Sequence, residues 1–198
     1  MISEKITDFI LVGCLVLTIF SCSNKKSPSG AIEADSLLVK YKALNDSVNS
    51  NWAVMIADDD DKHILMKRLL LEVSYTNNYD KTLFKELNDL VDGLKVMRYD
   101  QKSMKNSASI DAYDSATFAL SDQIILFARS HPRFADIPIM EELIDDINAK
   151  NNYILLHRIH YDSWVKELNL YKESNKENLL SDDPSVEIGE MPLFELPS

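Results

Sequence analysis

His157 and His160 stand three residues apart with Asp162 close behind, a spacing at which two imidazoles share one face of a helix and could meet one metal ion. A metal site in a helical bundle usually adds inward carboxylates from facing helices, often through Glu-x-x-His, and the sequence has no such motif. The pair reads as surface histidines, and no metal ligand is assigned. The run Asp58–Asp61 invites a calcium reading, but an EF-hand loop needs alternating ligands, a central glycine and a closing glutamate. Consecutive aspartates on a helix point around its whole circumference, so the run reads as a solvated acidic patch. Four glycines spread along the chain make no phosphate-binding loop. No serine, histidine and aspartate set is tied together by spacing. No catalytic residue or cofactor is therefore assigned, and the chain is expected not to be an enzyme.

Cys22 carries a different chemistry. Residues 9–20, FILVGCLVLTIF, form an uncharged apolar run of twelve. A bilayer-spanning helix needs about 20 residues, so the run has the length of a signal-peptide core instead. Leu17, Ile19, Ser21 and Cys22 resemble the lipobox of bacterial lipoproteins, in which the cysteine becomes the lipid-modified N-terminus. Residues 1–21 are expected to be a signal peptide and Cys22 the site of lipid attachment. Two or more acyl chains make a stable membrane anchor. Cys14 leaves with the signal, so no disulfide or thiolate metal site is expected. Ser23 is not the aspartate that holds many lipoproteins at the inner membrane, which favours the outer membrane in a Gram-negative source.

Removing a segment with one lysine and two acids takes the formal net charge from −11 to −10. Such a body repels nucleic-acid backbones, and no nucleic-acid partner is expected. SNKKSPSG has no apolar residue, and residues 22–33 are expected to be a flexible lipidated tether.

These features need elements to carry them. From Ala31 to His131 there is no proline, and Gly93 is the only glycine. Strand-rich domains of that length need many turn residues; long helices need few. Tyr41, Val48, Met55, Lys62 and Leu69 recur every seven residues, with Asn45, Trp52, Asp59, Met66 and Val73 between them. That is a heptad seam over roughly residues 34–76. Asp80 is the expected cap of a second helix with Leu83, Leu87, Leu90, Leu94 and Met97 on its apolar face. A third helix carries Ile110, Tyr113, Phe118, Leu120, Ile124, Ile125 and Phe127 and stops at SHP. Asp136 and Pro138 open a fourth, expected to run to about Lys172. Its seam reads Met140, Ile144, Ile147, Asn151, Ile154, Arg158, Tyr161, Val165 and Leu168.

The expected fold is all-α: an elongated antiparallel four-helix bundle, up-down-up-down, over residues 34–175. An irregular acidic tail, 176–198, follows, with Leu193 and Phe194 as the residues that could lay it back on the bundle. Polar residues interrupt two seams: Asp59 and Lys62 on helix one, Asn151 and Arg158 on helix four. Counting from the shared end of the bundle places all four at similar depth, so a buried polar layer is expected in which Asp59 pairs with Arg158.

AKNNYILLHRIHYDSWVKELN (149–169) resembles the C-terminal helix motif of the LemA family, with Asn152, Ile154, Arg158, Tyr161, Val165 and Asn169 in register. YKALNDSVNSNWAVMI (41–56), including Trp52, is similar to the family's first-helix pattern. HPRF (131–134) and MPLFE (191–195) fall where the family has a proline turn and its closing segment. The sequence departs at Asn151, Tyr153 and Asp162, and DDDDKH (58–63) replaces a basic pair. The resemblance implies a membrane-associated elongated bundle and no defined chemistry. Together these readings predict an envelope-tethered interaction protein, held to the membrane by lipid and bound to another envelope protein. The alternative is a ligand-binding sensor, or an enzyme of unrecognised type, using the polar layer around Arg158.

Overall fold

The computed structural model describes residues 28–194, with side chains from Ser36 onward. The expected signal segment, Cys22 and the first part of the tether lie outside the described residues, as do the last four positions.

Every regular element among the described residues is helical. Four α-helices follow in order, α1 Pro28–Ser74, α2 Lys81–Met97, α3 Ser107–Arg129 and α4 Pro138–Asp182. Single 3₁₀ turns, Ser103–Lys105 and Phe134–Asp136, precede α3 and α4. α1 and α4 hold 47 and 45 residues and are each about 70 Å long. They pack along their lengths: the Leu37 carbonyl meets Tyr171, Asp58 meets His157 and Asp61 meets Lys150. Positions advance along α1 as they retreat along α4, so this pair is antiparallel. The shorter α2 and α3 flank only the half of α1 beyond Met55.

The α4 seam is buried or half-buried at every expected position, and so is the α1 heptad. Val48, Met66, Leu69, Ile147, Tyr161 and Val165 are sealed completely. Each such aliphatic or aromatic side chain stabilises the fold by about 1.5–3 kcal/mol. The faces of the shorter helices differ from expectation. On α2 the buried stripe is Leu87, Val91 and Leu94, whereas Leu83, Leu90 and Met97 are 37, 47 and 50 % exposed. That rotation carries the stripe on to Arg98 and Tyr99, which are drawn inward by α1. On α3, Phe118 is 66 % exposed, and Thr117 and Ser121 take the buried positions.

Asp80 caps α2 as expected, its carboxylate accepting the Thr82 and Leu83 amides at 2.9 and 3.0 Å. Asn106 caps α3 through the Ala108 amide. Asp136 does not cap α4. It sits in the preceding 3₁₀ turn beside Arg133, and Ile137 holds the cap position without a side-chain bond, leaving Pro138 to set the first turn.

Two boundaries move. α1 is helical from Pro28, inside the expected tether, because proline's fixed φ suits a first helical turn. α4 passes Lys172 and Asn175 and ends at Asp182, so the tail begins at Asp183. Asn175 is non-helical (φ −125°, ψ 15°), and its amide bridges the kink by donating to the Tyr171 carbonyl. Leu179, fully buried, secures the added turns. The tail then doubles back beside α4, with Met191 against Asn169 and Phe194 against Asp162.

Candidate functional site

A layer of charged side chains crosses the molecule where α2 ends and α3 begins. α1 contributes Asp58 to His63, a full turn of polar residues set between Met55 and Met66. Asp59, Lys62 and His63 are 4, 5 and 1 % exposed, so their charges cannot be left to water. The Tyr113 hydroxyl of α3 donates to Asp59 Oδ2. Lys62 Nζ lies 3.3 Å from Asp59 Oδ1, and Arg98, at the end of α2, reaches Oδ2 at 3.2 Å. Burial works to raise the Asp59 carboxyl, but Lys62, the Tyr113 hydroxyl, His63 and Arg98 outweigh it and hold it below its ordinary 3.8.

With its proton given to Asp59, the Tyr113 oxygen accepts from His63 Nε2, 3.1 Å away. This fixes the neutral tautomer of His63 and leaves Nδ1 buried without a partner. Burial lowers the His63 pKa, and Lys62 and Arg98 add to that while Asp59 opposes it. Burial likewise lowers Lys62, opposed chiefly by Asp59.

Arg158 of α4 forms a second cluster beside the first. Its guanidinium holds both oxygens of Asp114, from α3, at 2.6 and 2.7 Å, and donates to the Tyr99 hydroxyl at 2.8 Å. Burial pushes the Tyr99 phenol up to about 12, partly offset by Arg158. The expected pairing of Asp59 with Arg158 is therefore corrected: Asp59 takes Lys62 and Arg98, and Arg158 takes Asp114. Helix three supplies a carboxylate at the same depth, and its two oxygens match the guanidinium fork better than a carboxylate already held by three donors.

The four expected layer residues do meet. Asp59, Lys62, Asn151 and Arg158 all line one cleft of about 230 Å³ between α1, α3 and α4. Thr117 and the exposed Phe118 lie on its α3 wall, Ile154 and Leu155 on its α4 wall. Thr117 Oγ1, beside the Tyr113 hydroxyl, and Arg158 Nε are buried there without a close hydrogen bond. The cleft is thus a small, mostly apolar slot with donors at its base.

Rather than a solvated patch, the acidic run divides into two pairs, Asp58 and Asp61 turned to Lys150 and Asp59 and Asp60 turned to Arg98, and only Asp61 is exposed to solvent. Asp58 accepts from Lys150 at 2.5 Å and faces His157 Nε2 at 2.9 Å. Asp60 accepts from Arg98 at 2.8 Å and Asp61 from Lys150 at 2.8 Å. Burial works to raise Asp58, but the Lys150 and His157 hydrogen bonds outweigh it and the carboxyl ends up lowered. His157 is half-buried in this contact rather than a surface residue, and only His160 is exposed. Among the described residues no three histidine, cysteine or carboxylate side chains are grouped as metal ligands.

Of the residues that carry the sequence resemblance, Trp52, Tyr161 and Asn169 lie with the tail beside Arg158. Phe194 stacks on Trp52 (centroids 6.2 Å, 14° apart) and meets Tyr161 edge-on at 5.5 Å. The Arg158 guanidinium lies 4.9 Å from the Phe194 ring centre. Asn169 binds the Met191 backbone. Ile154 and Val165 are core, and Asn152 is exposed, apart from this group. Burial pushes the Tyr161 phenol up to about 12, partly offset by Gln101 beside it.

Sequence reading missed Arg98, Tyr113, Asp114, His63 and His131. Tyr113 and Thr117 do share a helical face, and Arg98 extends the Leu87–Val91–Leu94 stripe, signals that were present in the spacing. His131 closes the α1–α2 and α3–α4 ends: its Nδ1 accepts the Arg133 amide at 3.2 Å, so its Nε2 donates to Thr76 Oγ1 at 2.5 Å. No helix among the described residues is long and apolar enough to cross a membrane. No protein-family model, curated protein or solved structure matches the chain.

Proposed function

We propose that the chain is a LemA-like, membrane-tethered interaction protein of the bacterial envelope, cleaved before Cys22 and anchored there by lipid. The lipobox residues Leu17 to Cys22 support the anchor, and α1 begins at Pro28, so a rigid helix starts six residues from the attachment point. An up-down-up-down course is supported by the pairings of α1 with each later helix: Lys67 with Asp92 and Asp59 with Arg98, then His63 with Tyr113 and Thr76 with His131, then Asp58 with His157. The meeting of Trp52, Arg158, Tyr161 and Asn169 around the tail supports the family reading. The proposal assigns no reaction and no cofactor to the chain.

The observation that carries the interaction reading is an apolar strip on the outward side of α4. Tyr153, Leu155, Leu156 and Ile159 are 52, 49, 45 and 48 % exposed within two turns of α4, spread over its outward half from the α1 side to the α3 side, on a body of strong negative charge. Apolar surface of this kind marks a docking site more often than idle surface. A photo-crosslinking residue at Ile159 in the membrane-anchored protein should capture a discrete envelope protein. The adduct should disappear with Cys22→Ala, which should also leave an unprocessed, unlipidated precursor. Lipid labelling that survives Cys22→Ala, or an adduct pattern unchanged by it, would refute the tethered reading.

A second reading, a ligand-binding sensor, is favoured by the cleft beside Arg158. Release from the membrane separates the two: a sensor's soluble site keeps its ligand, whereas a tethered adaptor loses its function.

A further inference from the structure

Val186–Phe194 runs without regular structure, with a bend at Gly189, along the second half of α4, its end walled by Trp52 of α1 and by Met104–Ile110, and α4 side chains hold it by its main chain. The Asn169 side-chain amide makes a two-way bond with Met191, donating to its carbonyl at 2.9 Å and accepting its N–H at 3.0 Å. Lys172 Nζ donates to the Gly189 carbonyl. Asp162 Oδ1 accepts the Phe194 N–H at 2.9 Å. Asp162 and Lys172 are 8 and 3 % exposed, so two charged groups are buried for the sake of backbone atoms that the tail supplies. Val186 and Phe194 of this segment are buried, Met191 and Leu193 pack half-buried against the core, and Phe194 enters a box of Trp52, Tyr99 and Tyr161.

Backbone recognition along an extended strand, with a pocket for one anchoring side chain, is how protein surfaces bind peptides. Charge adds a preference: Lys166, Lys172 and Lys176, with one carboxylate, Glu173, among them, line the flank where the tail places Glu190, a net positive patch on an acidic molecule. The tail has no helix of its own, and its entry at Pro184 and Ser185 is exposed, so it can leave without breaking α4.

We propose that the groove this segment fills is a recognition site for an acidic peptide segment anchored by phenylalanine. The chain's own tail fills it in cis, and a partner's segment of the same kind fills it by displacement. The inference goes beyond the tethering reading and uses neither Cys22 nor the apolar strip of α4, so either can fail alone.

The test uses the full chain in detergent and a fluorescent peptide of residues 184–194. Phe194→Ala weakens the cis occupant and leaves every groove residue in place. It should bind the peptide roughly tenfold more tightly than the unaltered chain, whose groove is open for only a small fraction of the time. Adding Asn169→Ala should remove most of that gain, and a peptide with its phenylalanine replaced by alanine should not bind. Should Phe194→Ala fail to fold, a protease site placed at Pro184–Ser185 allows the folded chain to be nicked, and the labelled peptide should then exchange for the released fragment. The proposal is overturned if helical Phe194→Ala binds no better than the unaltered chain. It is equally overturned if the nicked chain exchanges no peptide or loses its helical signal on nicking, outcomes that make the tail a structural strap only.

Discussion

Arg158 grips Asp114 with two hydrogen bonds, 2.6 and 2.7 Å long, across the join of α3 and α4. α3 and α4 otherwise touch little along this stretch, so the ion pair fixes their relative register. Asp114 is 39 % exposed at its side chain, which weakens the pair relative to a sealed one. A double-mutant cycle of Arg158→Leu and Asp114→Leu, read by urea unfolding, should give a coupling of about 1–3 kcal/mol. The same cycle with Asp59→Leu in place of Asp114→Leu should give clearly less. Stronger coupling of Arg158 to Asp59 would show that the two clusters are wrongly divided.

Asp59 is the more consequential carboxylate. It is buried with Lys62, Arg98 and the Tyr113 hydroxyl all directed at it. Asp59→Leu leaves Lys62 buried without a counter-charge and should destabilise the chain by about 3–5 kcal/mol. Asp59→Leu with Lys62→Met removes both charges and should recover most of that loss. A double variant no more stable than the single one would mean that Arg98 or Tyr113, rather than Lys62, bears the burden.

The long helices were legible because their seams keep one heptad spacing over Tyr41–Val73 and Met140–Leu168, with few polar interruptions, and a repeat of that length has only one way to bury itself. Polar depth was legible too: Asp59, Lys62, Asn151 and Arg158 were placed in one layer by counting rise per residue, and they line one cleft. Pairing was not legible. Which carboxylate meets Arg158 depends on how α3 is rotated, and the apolar residues of α3 occur all around it. Phe118 looked like core and Thr117 did not; the helix turned the other way, and Asp114 came with it. The same ambiguity misplaced the face of α2, where Leu83, Leu90 and Met97 offered a second stripe beside Leu87, Val91 and Leu94.

His63 makes stability depend on pH near neutrality. Its folded pKa is lowered from the ordinary 6.5, first by burial and then by Lys62 and Arg98, against the pull of Asp59. The unfolded chain therefore binds more protons than the folded one as pH falls below 6.5, so this contribution is present above that value and is lost below it. Asp59, lowered from 3.8, adds a second loss only as pH drops beneath that value. Urea unfolding at pH 8, 7, 6 and 5 should show stability falling by up to about 1.4 kcal/mol per unit at the acid end of this range. In His63→Gln the slope should flatten, whatever the variant's absolute stability. An identical slope in both chains would remove His63 from the account.

Thr117 tests whether the cleft beside Arg158 has an occupant. Its hydroxyl is buried, 3 % exposed as a residue, and lies beside the Tyr113 hydroxyl without a close hydrogen bond. Thr117→Val keeps the shape and deletes the polar group. If the hydroxyl serves nothing, the substitution removes an unsatisfied group and should leave stability unchanged or raise it by up to about 1 kcal/mol. A small polar ligand seated over Lys62 and Arg158 would reverse the sign, because the hydroxyl would then lose a partner together with the ligand. The comparison is made on the chain as isolated from its native membrane and again after exhaustive dialysis. A thermal midpoint for Thr117→Val below that of the parent before dialysis, and at or above it afterwards, is the result expected of a ligand site. Equal midpoints in both preparations would leave the sensor reading without support and the interaction reading standing on the α4 strip.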